Sequence, residues 1–168
     1  FIVNTVKKYA VKAIHSGRNA QWFETHRQQI EALGVSLTTG AGSLTALALA
    51  DDKVAFARKM EAHGLPVVPS TRIENAKALR EKINLEKNKQ ALCIKPVTGI
   101  YGMGFWRFDD KATPMSAFTH PENRKVHPEM YLHAVEQQED FKPLVLMPYL
   151  PGTEYSIDML VEKGRVIA

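Results

Sequence analysis

The stretch Cys93-Ile94-Lys95-Pro96-Val97-Thr98-Gly99-Ile100-Tyr101-Gly102-Met103-Gly104-Phe105-Trp106 decides the reading of this chain. An apolar run, Ala91 to Ile94, delivers a lysine. Pro96 lacks an N–H and is expected to stop the strand ladder there. Gly99, Gly102 and Gly104 follow, and an aromatic strand resumes from Phe105 to Phe108. The pattern is strand, pliant loop, strand, with Lys95 fixed at the loop's entrance. Glycines let backbone N–H groups come close to a ligand and form an anion-binding concavity. A polyphosphate suits such a device.

Upstream, Phe1 to Val3 reads as the tail of a buried strand. Asn19 to Leu33 reads as a helix, since Trp22, Phe23, His26, Ile30 and Leu33 recur at helical spacing. Gly34 sits where a left-handed C′ glycine belongs. Val35 to Leu37 is then a short strand, and Ser43 is placed to cap Leu44 to Ala50. A helix followed by a strand suits a Rossmann-like half. Asp51 and Asp52 favour the positive N-terminus of a helix over Lys53 to His63, with Phe56, Ala57 and Met60 as its inner face. Gly64 and Pro66 end it. Val67-Val68 is expected as a short strand and Thr71 to Ile73 as extended. A third helix covers Asn75 to Glu86, with Ala76, Leu79 and Ile83 inward.

Downstream, Asp109 to Pro128 reads as irregular and polar, and Glu129 to Glu139 as helical. Leu144 to Tyr149 is a strand and Pro151-Gly152 a turn. Tyr155 to Val161 alternates as a strand does, and Glu162-Lys163-Gly164 is expected to turn it into Arg165 to Ala168.

Composition is that of an ordinary globular protein: 45% apolar and 24% charged over 168 residues. The net charge of +4, from 22 basic and 18 acidic residues, is compatible with an anionic small ligand. It falls short of the basic stripe expected for nucleic acid. No stretch approaches the roughly 18 apolar residues of a membrane span. The single cysteine, Cys93, excludes an internal disulfide and leads to the expectation of a reducing, cytoplasmic setting. A start at Phe1 and an apolar end lead to the expectation that the chain is part of a longer protein.

Three pieces then occur in order. Asp52-Lys53 opens a helix that ends in Gly64-Leu65-Pro66-Val67-Val68-Pro69. Ile94-Lys95-Pro96 precedes the glycine loop. Leu146-Met147-Pro148-Tyr149-Leu150-Pro151-Gly152-Thr153-Glu154-Tyr155-Ser156-Ile157-Asp158 follows. Together they resemble the ATP-grasp superfamily, in its carboxylate–amine ligase and carboxylase branch, over Ala50 to Ala168. The resemblance implies a truncated ATP-grasp fold, α/β to α+β. Residues 1–50 would end a Rossmann-like pre-ATP-grasp domain. Residues 51–142 would be the small subdomain with the glycine-rich loop, and 143–168 would start the C-terminal subdomain.

The same resemblance implies ATP between two subdomains. Lys53 and Lys95 would hold its phosphates; one ammonium ~4 Å from a phosphate oxygen gains ~4 kcal/mol at an effective dielectric near 20. Thr98, Gly99, Gly102 and Gly104 would belong to a lid over the phosphates. In the segment Met147, Pro148, Tyr149, Leu150, the Met147 C=O and Leu150 N–H would read adenine, and Glu154 would accept from the ribose hydroxyls. Two departures stand out. Relatives commonly carry Glu-Lys where this chain has Met147-Pro148, and more glycine where it has Ile100 and Tyr101. The family's Mg²⁺ ligands lie on later strands, beyond residue 168, so no metal ligand and no catalytic residue is assigned here.

The implied activity is that of an ATP-dependent ligase. It activates a small-molecule carboxylate as an acylphosphate for attack by an amine or similar nucleophile. The chain shown is expected to be inactive alone, and a homo-oligomer is compatible with the family. The alternative is a non-catalytic ATP-binding module of the same fold. Each residue also has a plainer reading. Lys95 could be a solvated strand-end lysine, Lys53 an exposed first-turn residue, the glycines hairpin formers, and Glu154 a surface carboxylate. Asp158 either faces a cleft or pairs with a base. His26 reads as a satisfied histidine. His15, His120, His127 and His133 lack zinc spacing, and Trp106 and Phe108 read as packing. A protein kinase would need its phosphate lysine after the glycine loop, whereas Lys95 precedes it. A P-loop would need Gly-Lys-Ser/Thr at the loop's end, and none follows Gly104.

Overall fold

Burial recurring at Ile2 and Val6, one helical turn apart, makes the chain's start a helix, α1 (Ile2–Tyr9). The strand tail expected at Phe1 to Val3 is therefore corrected: Phe1 is fully exposed ahead of α1. The computed structural model describes residues 1–99, 102–162 and 164–168. Ile100, Tyr101 and Lys163, the middle of an expected turn, lie outside the described residues. Strand β1 (Ala13–His15) follows, too short for a pattern in the sequence. The helix expected over Asn19 to Leu33 is two, α2 (Ala20–Thr25) and α3 (Arg27–Glu31), parted at His26. Thr25 Oγ1 donates to the Gln21 carbonyl at 2.8 Å, and His26 Nδ1 bonds the Trp22 carbonyl at 2.8 Å. These side chains compete for the carbonyls of the preceding turn. Gly34 takes φ 79° as a C′ glycine should. Strand β2 (Ser36–Thr38) lies parallel to β1, with Ile14 opposite Leu37. This β–α–β unit packs around Val6, Ile30, Val35 and Leu37.

Ser43 caps α4 (Leu44–Asp51), its Oγ accepting from Ala46 N–H at 3.1 Å. Asp52 caps α5 (Lys53–Ala62), its Oδ1 accepting from Val54 and Ala55 N–H at 3.0 and 2.9 Å. The inner face of α5 is not the expected one. Val54 is buried, whereas Phe56 is exposed and Ala57 and Met60 are half-buried. No ladder forms at Val67-Val68 among the described residues: Pro66 and Pro69 bracket it and remove donors.

Strand β3 (Thr71–Ile73), helix α6 (Ala76–Glu86), β4 (Leu92–Pro96), β5 (Trp106–Phe108), α7 (Ser116–Thr119), β6 (Lys125–Val126), α8 (Pro128–Glu136) and β7 (Leu144–Pro148) follow. They form one sheet in the order β3-β7-β4-β5-β6, parallel only between β5 and β6. The segment expected to be irregular, Asp109 to Pro128, thus supplies α7 and an edge strand. The expected boundary at residue 143 falls on the approach to β7, which runs between β3 and β4.

Alternation divides the sheet. Ile73, Leu92, Ile94, Phe108, Leu144 and Leu146 face α6 and α8, where Leu79, Ile83, Leu132 and Val135 close the main core. Trp106 packs there too. Arg80 ties the two helices, donating to Glu129 and Glu136 at 2.9 and 2.8 Å. The other face carries Arg72, Cys93, Lys95, Val145, Met147 and Arg107.

Pro96 does not end the ladder on both sides. Val97 N–H still donates to the Pro143 carbonyl at 3.0 Å. Successive N–H groups alternate sides, so the missing Pro96 donor falls toward β5, whose pairing ends at Ile94. The strand expected over Tyr155 to Val161 is irregular up to β8 (Val161–Glu162), which pairs with β9 (Arg165–Val166). Tyr155, Ile157 and Met159 alternate but are exposed, with no ladder partner among the described residues. Alternation needs a partner strand before it becomes structure.

Candidate functional site

Lys53 comes from the first turn of α5 and Lys95 from β4, and both line one pocket of about 480 Å³. Its floor is the polar-bearing sheet face, with Val145 and Met147 beside Lys95. Its walls are Phe56, Ala57 and Met60 of α5 and the segment Leu65 to Val68. Val54, the buried residue of α5, packs with Val97 and Val145, and the half-exposed apolar residues of α5 line this groove.

Asp52 aims Lys53. It caps α5 and also binds Arg72 Nη1 through Oδ2 at 2.6 Å. Ala55 N–H chiefly, and Arg72 beside it, hold the Asp52 carboxyl below the usual aspartate range against the opposing effect of burial. The Lys53 ammonium donates to the carbonyls of Val97 at 3.1 Å and Gly99 at 2.9 Å. Burial lowers its pKa from the ordinary lysine value, and the charge of Lys95 lowers it further. Neither lysine forms an ion pair among the described residues. Two cations in an apolar groove without a carboxylate partner favour an anionic guest.

The glycine loop leaves from the same place. Thr98 and Gly99 are exposed, and Gly99 has φ 140°. Gly104 has φ 74°, and a Cβ there would lie 2.8 Å from the Pro96 ring, so any other residue would have to push that ring aside. The Gly102 carbonyl accepts from Arg124.

The segment after Leu146 is held from β4. Tyr149 N–H donates to the Ala91 carbonyl at 2.8 Å, and Met147 lies opposite Cys93. With Val97 N–H bound to Pro143, this sets the odd-numbered residues of both strands with their backbone groups facing each other. The Met147 carbonyl, expected to face adenine, is therefore turned into the ladder. Alternation turns the Leu150 N–H away from β4, while the Pro148 carbonyl accepts from Cys93 Sγ at 3.7 Å.

Leu150 and Glu154 are exposed and do not line the pocket, and Asp158 is exposed without an ion pair among the described residues. His26 is half-buried and stacked on Trp22 at 4.3 Å. Sequence reasoning missed Arg72 and Arg107 on the polar-bearing face. Their signal was position in a strand opposite Val145 and Cys93, which requires the register.

This fold is the ATP-grasp fold. It resembles the biotin carboxylase domain of Hydrogenobacter thermophilus 2-oxoglutarate carboxylase, solved with MgADP, ADP and bicarbonate. The TM-score is 0.52 and the identity 18%, covering 89% of this chain and 31% of that one. It also resembles D-alanyl-alanine synthetase A of Vibrio cholerae, with TM-score 0.50 and identity 8%, over 92% of this chain and 42% of that one. The family described as "ATP-grasp in the biosynthetic pathway with Ter operon" matches residues 140–168, the stretch holding Met147 to Leu150 and Glu154. No curated protein sequence matches the chain. The chain spans between 31% and 42% of the length of the solved structures it resembles. No helix among the described residues is long and apolar enough to cross a membrane.

Proposed function

We propose that this chain is the nucleotide-holding part of an ATP-dependent ligase. The observation that carries the reading is the meeting of Lys53 and Lys95 in one apolar groove beside Met147, from positions far apart in the sequence. The resemblance to a carboxylase domain solved with ADP supports it. In this reading Lys53 and Lys95 neutralise the phosphates, and Thr98, Gly99, Gly102 and Gly104 bring the loop over them. Met147 and Val145 lie under the nucleoside. Leu150 donates its N–H to the base, Tyr149 holds that segment in place, and Glu154 accepts from the ribose. When bound, ATP supplies the phosphoryl group that activates a carboxylate for attack by an amine or a similar nucleophile. The chain's own residues position and screen charge.

Mg²⁺ is a different matter. No group of three His, Cys, Asp or Glu able to hold a cation occurs among the described residues. The residues present do not build its site, and nothing here depends on one. The setting we propose is cytoplasmic, and the partners are small molecules.

ATP at a hundredfold excess over its Kd should stabilise the protein by roughly 2.7 kcal/mol. A melting temperature that ATP leaves unmoved would overturn the reading and leave a plain interaction domain.

A further inference from the structure

We infer that Arg107 is a positioning residue for the nucleoside end of this groove, acting through Tyr149. The inference rests on the nucleotide-binding reading. Arg107 lies opposite Cys93, and Cys93 opposite Met147, so the three form one cross-strand row on the face that carries Lys95. The Arg107 guanidinium carbon sits 4.4 Å from the centroid of the Tyr149 ring. No carboxylate pairs with Arg107 among the described residues, and its Nε is buried without a hydrogen-bond partner. On this face it meets the Tyr149 ring, with the Asp109 charge nearby.

Tyr149 is the residue after β7, next to the outward Leu150 N–H. Its backbone is tied to Ala91 at 2.8 Å. Its side chain is tied by Arg107, on the strand beyond β4. Among the described residues, the exposed segment from Leu150 onward makes no cation–ring contact. Fixing the ring fixes the direction in which Leu150 N–H points, so Arg107 governs how the base is met without touching it. A guanidinium stacks on a ring in a way that a leucine cannot, whereas a lysine keeps part of the attraction.

The test compares binding of ATP, GTP and inorganic tripolyphosphate to the wild-type full-length protein, Arg107→Leu, Arg107→Lys and Tyr149→Leu. Arg107→Leu and Tyr149→Leu should weaken ATP about five- to tenfold. They should leave tripolyphosphate unchanged and narrow the preference for ATP over GTP. Arg107→Lys should recover most of the loss. Equal ATP affinity in Arg107→Leu and wild type overturns the inference, as does a parallel loss of ATP and tripolyphosphate. Should Arg107→Leu fail to fold, the same split is read from Tyr149→Leu. A wild type that binds neither ATP nor tripolyphosphate removes the nucleotide reading itself, and the inference with it.

Discussion

The Lys53 ammonium donates to the carbonyl of Gly99 at 2.9 Å, joining the start of α5 to the root of the glycine loop. A lysine proposed to hold phosphate is thus engaged with the loop proposed to cover it. Phosphate oxygens would compete with the Val97 and Gly99 carbonyls for the same three protons. Lys53→Met should therefore act twice, weakening polyphosphate binding and loosening the loop's root. Faster amide exchange at residues 97–99 in the variant is the expected sign. Exchange unchanged from wild type would show that the contact does not hold the loop.

Lys53 also makes a pH prediction. Its folded pKa lies below the ordinary 10.5, first because of burial and then because of Lys95. Between the lowered value and 10.5 the unfolded chain binds more protons, so stability rises with pH in that window. Paired urea midpoints should move in favour of wild type over Lys53→Met as pH climbs from neutral toward 10.5. A difference that stays flat would mean that Lys53 is not desolvated.

Asp52 also makes stability rise with pH, but in the acid range. Its folded pKa is below the ordinary 3.8, chiefly through Ala55 N–H. The stability it contributes is present above 3.8 and is lost as pH falls through the lowered value. Asp52→Ala removes the α5 cap and should cost about 1 kcal/mol near neutral pH. The ionisation-dependent part of that difference should be lost in acid, and chemical denaturation at two pH values checks both parts.

Gly104→Ala places a methyl group against the Pro96 ring at 2.8 Å, on a backbone with φ 74°. The expected loss is about 2 kcal/mol. Gly34 has φ 79° with open space around it, so Gly34→Ala isolates the backbone part and should cost about 1 kcal/mol. Equal losses at the two sites would show that the Pro96 contact is not the constraint.

The parts of this fold legible in the sequence are those whose cause is local. Ser43, Asp52 and Asn75 announce helix starts because a cap acts within three residues. Gly34 announces a helix end for the same reason. Leu79 and Ile83, one turn apart, announce the buried face of α6. What stayed hidden depends on partners distant in sequence. Strand β1 exists because Leu37 lies beside Ile14. The alternation from Tyr155 to Met159 finds no partner among the described residues and stays irregular. The apolar face of α5 was visible as Phe56, Ala57 and Met60, but nothing local says that it lines a groove instead of the core. Lys95 could be singled out because a loop follows it, whereas Arg107 needed the register with Cys93.

The central claim is that Lys53 and Lys95 form one phosphate-binding pair. Titration calorimetry of the full-length protein with ATP tests it most directly, comparing wild type with Lys95→Ala, Lys53→Ala and the double variant. Each single change should weaken ATP by at least tenfold, about 1.4 kcal/mol, and the double change should depart from additivity because the two charges share a ligand. ATP affinity in Lys95→Ala equal to that of wild type would contradict the account.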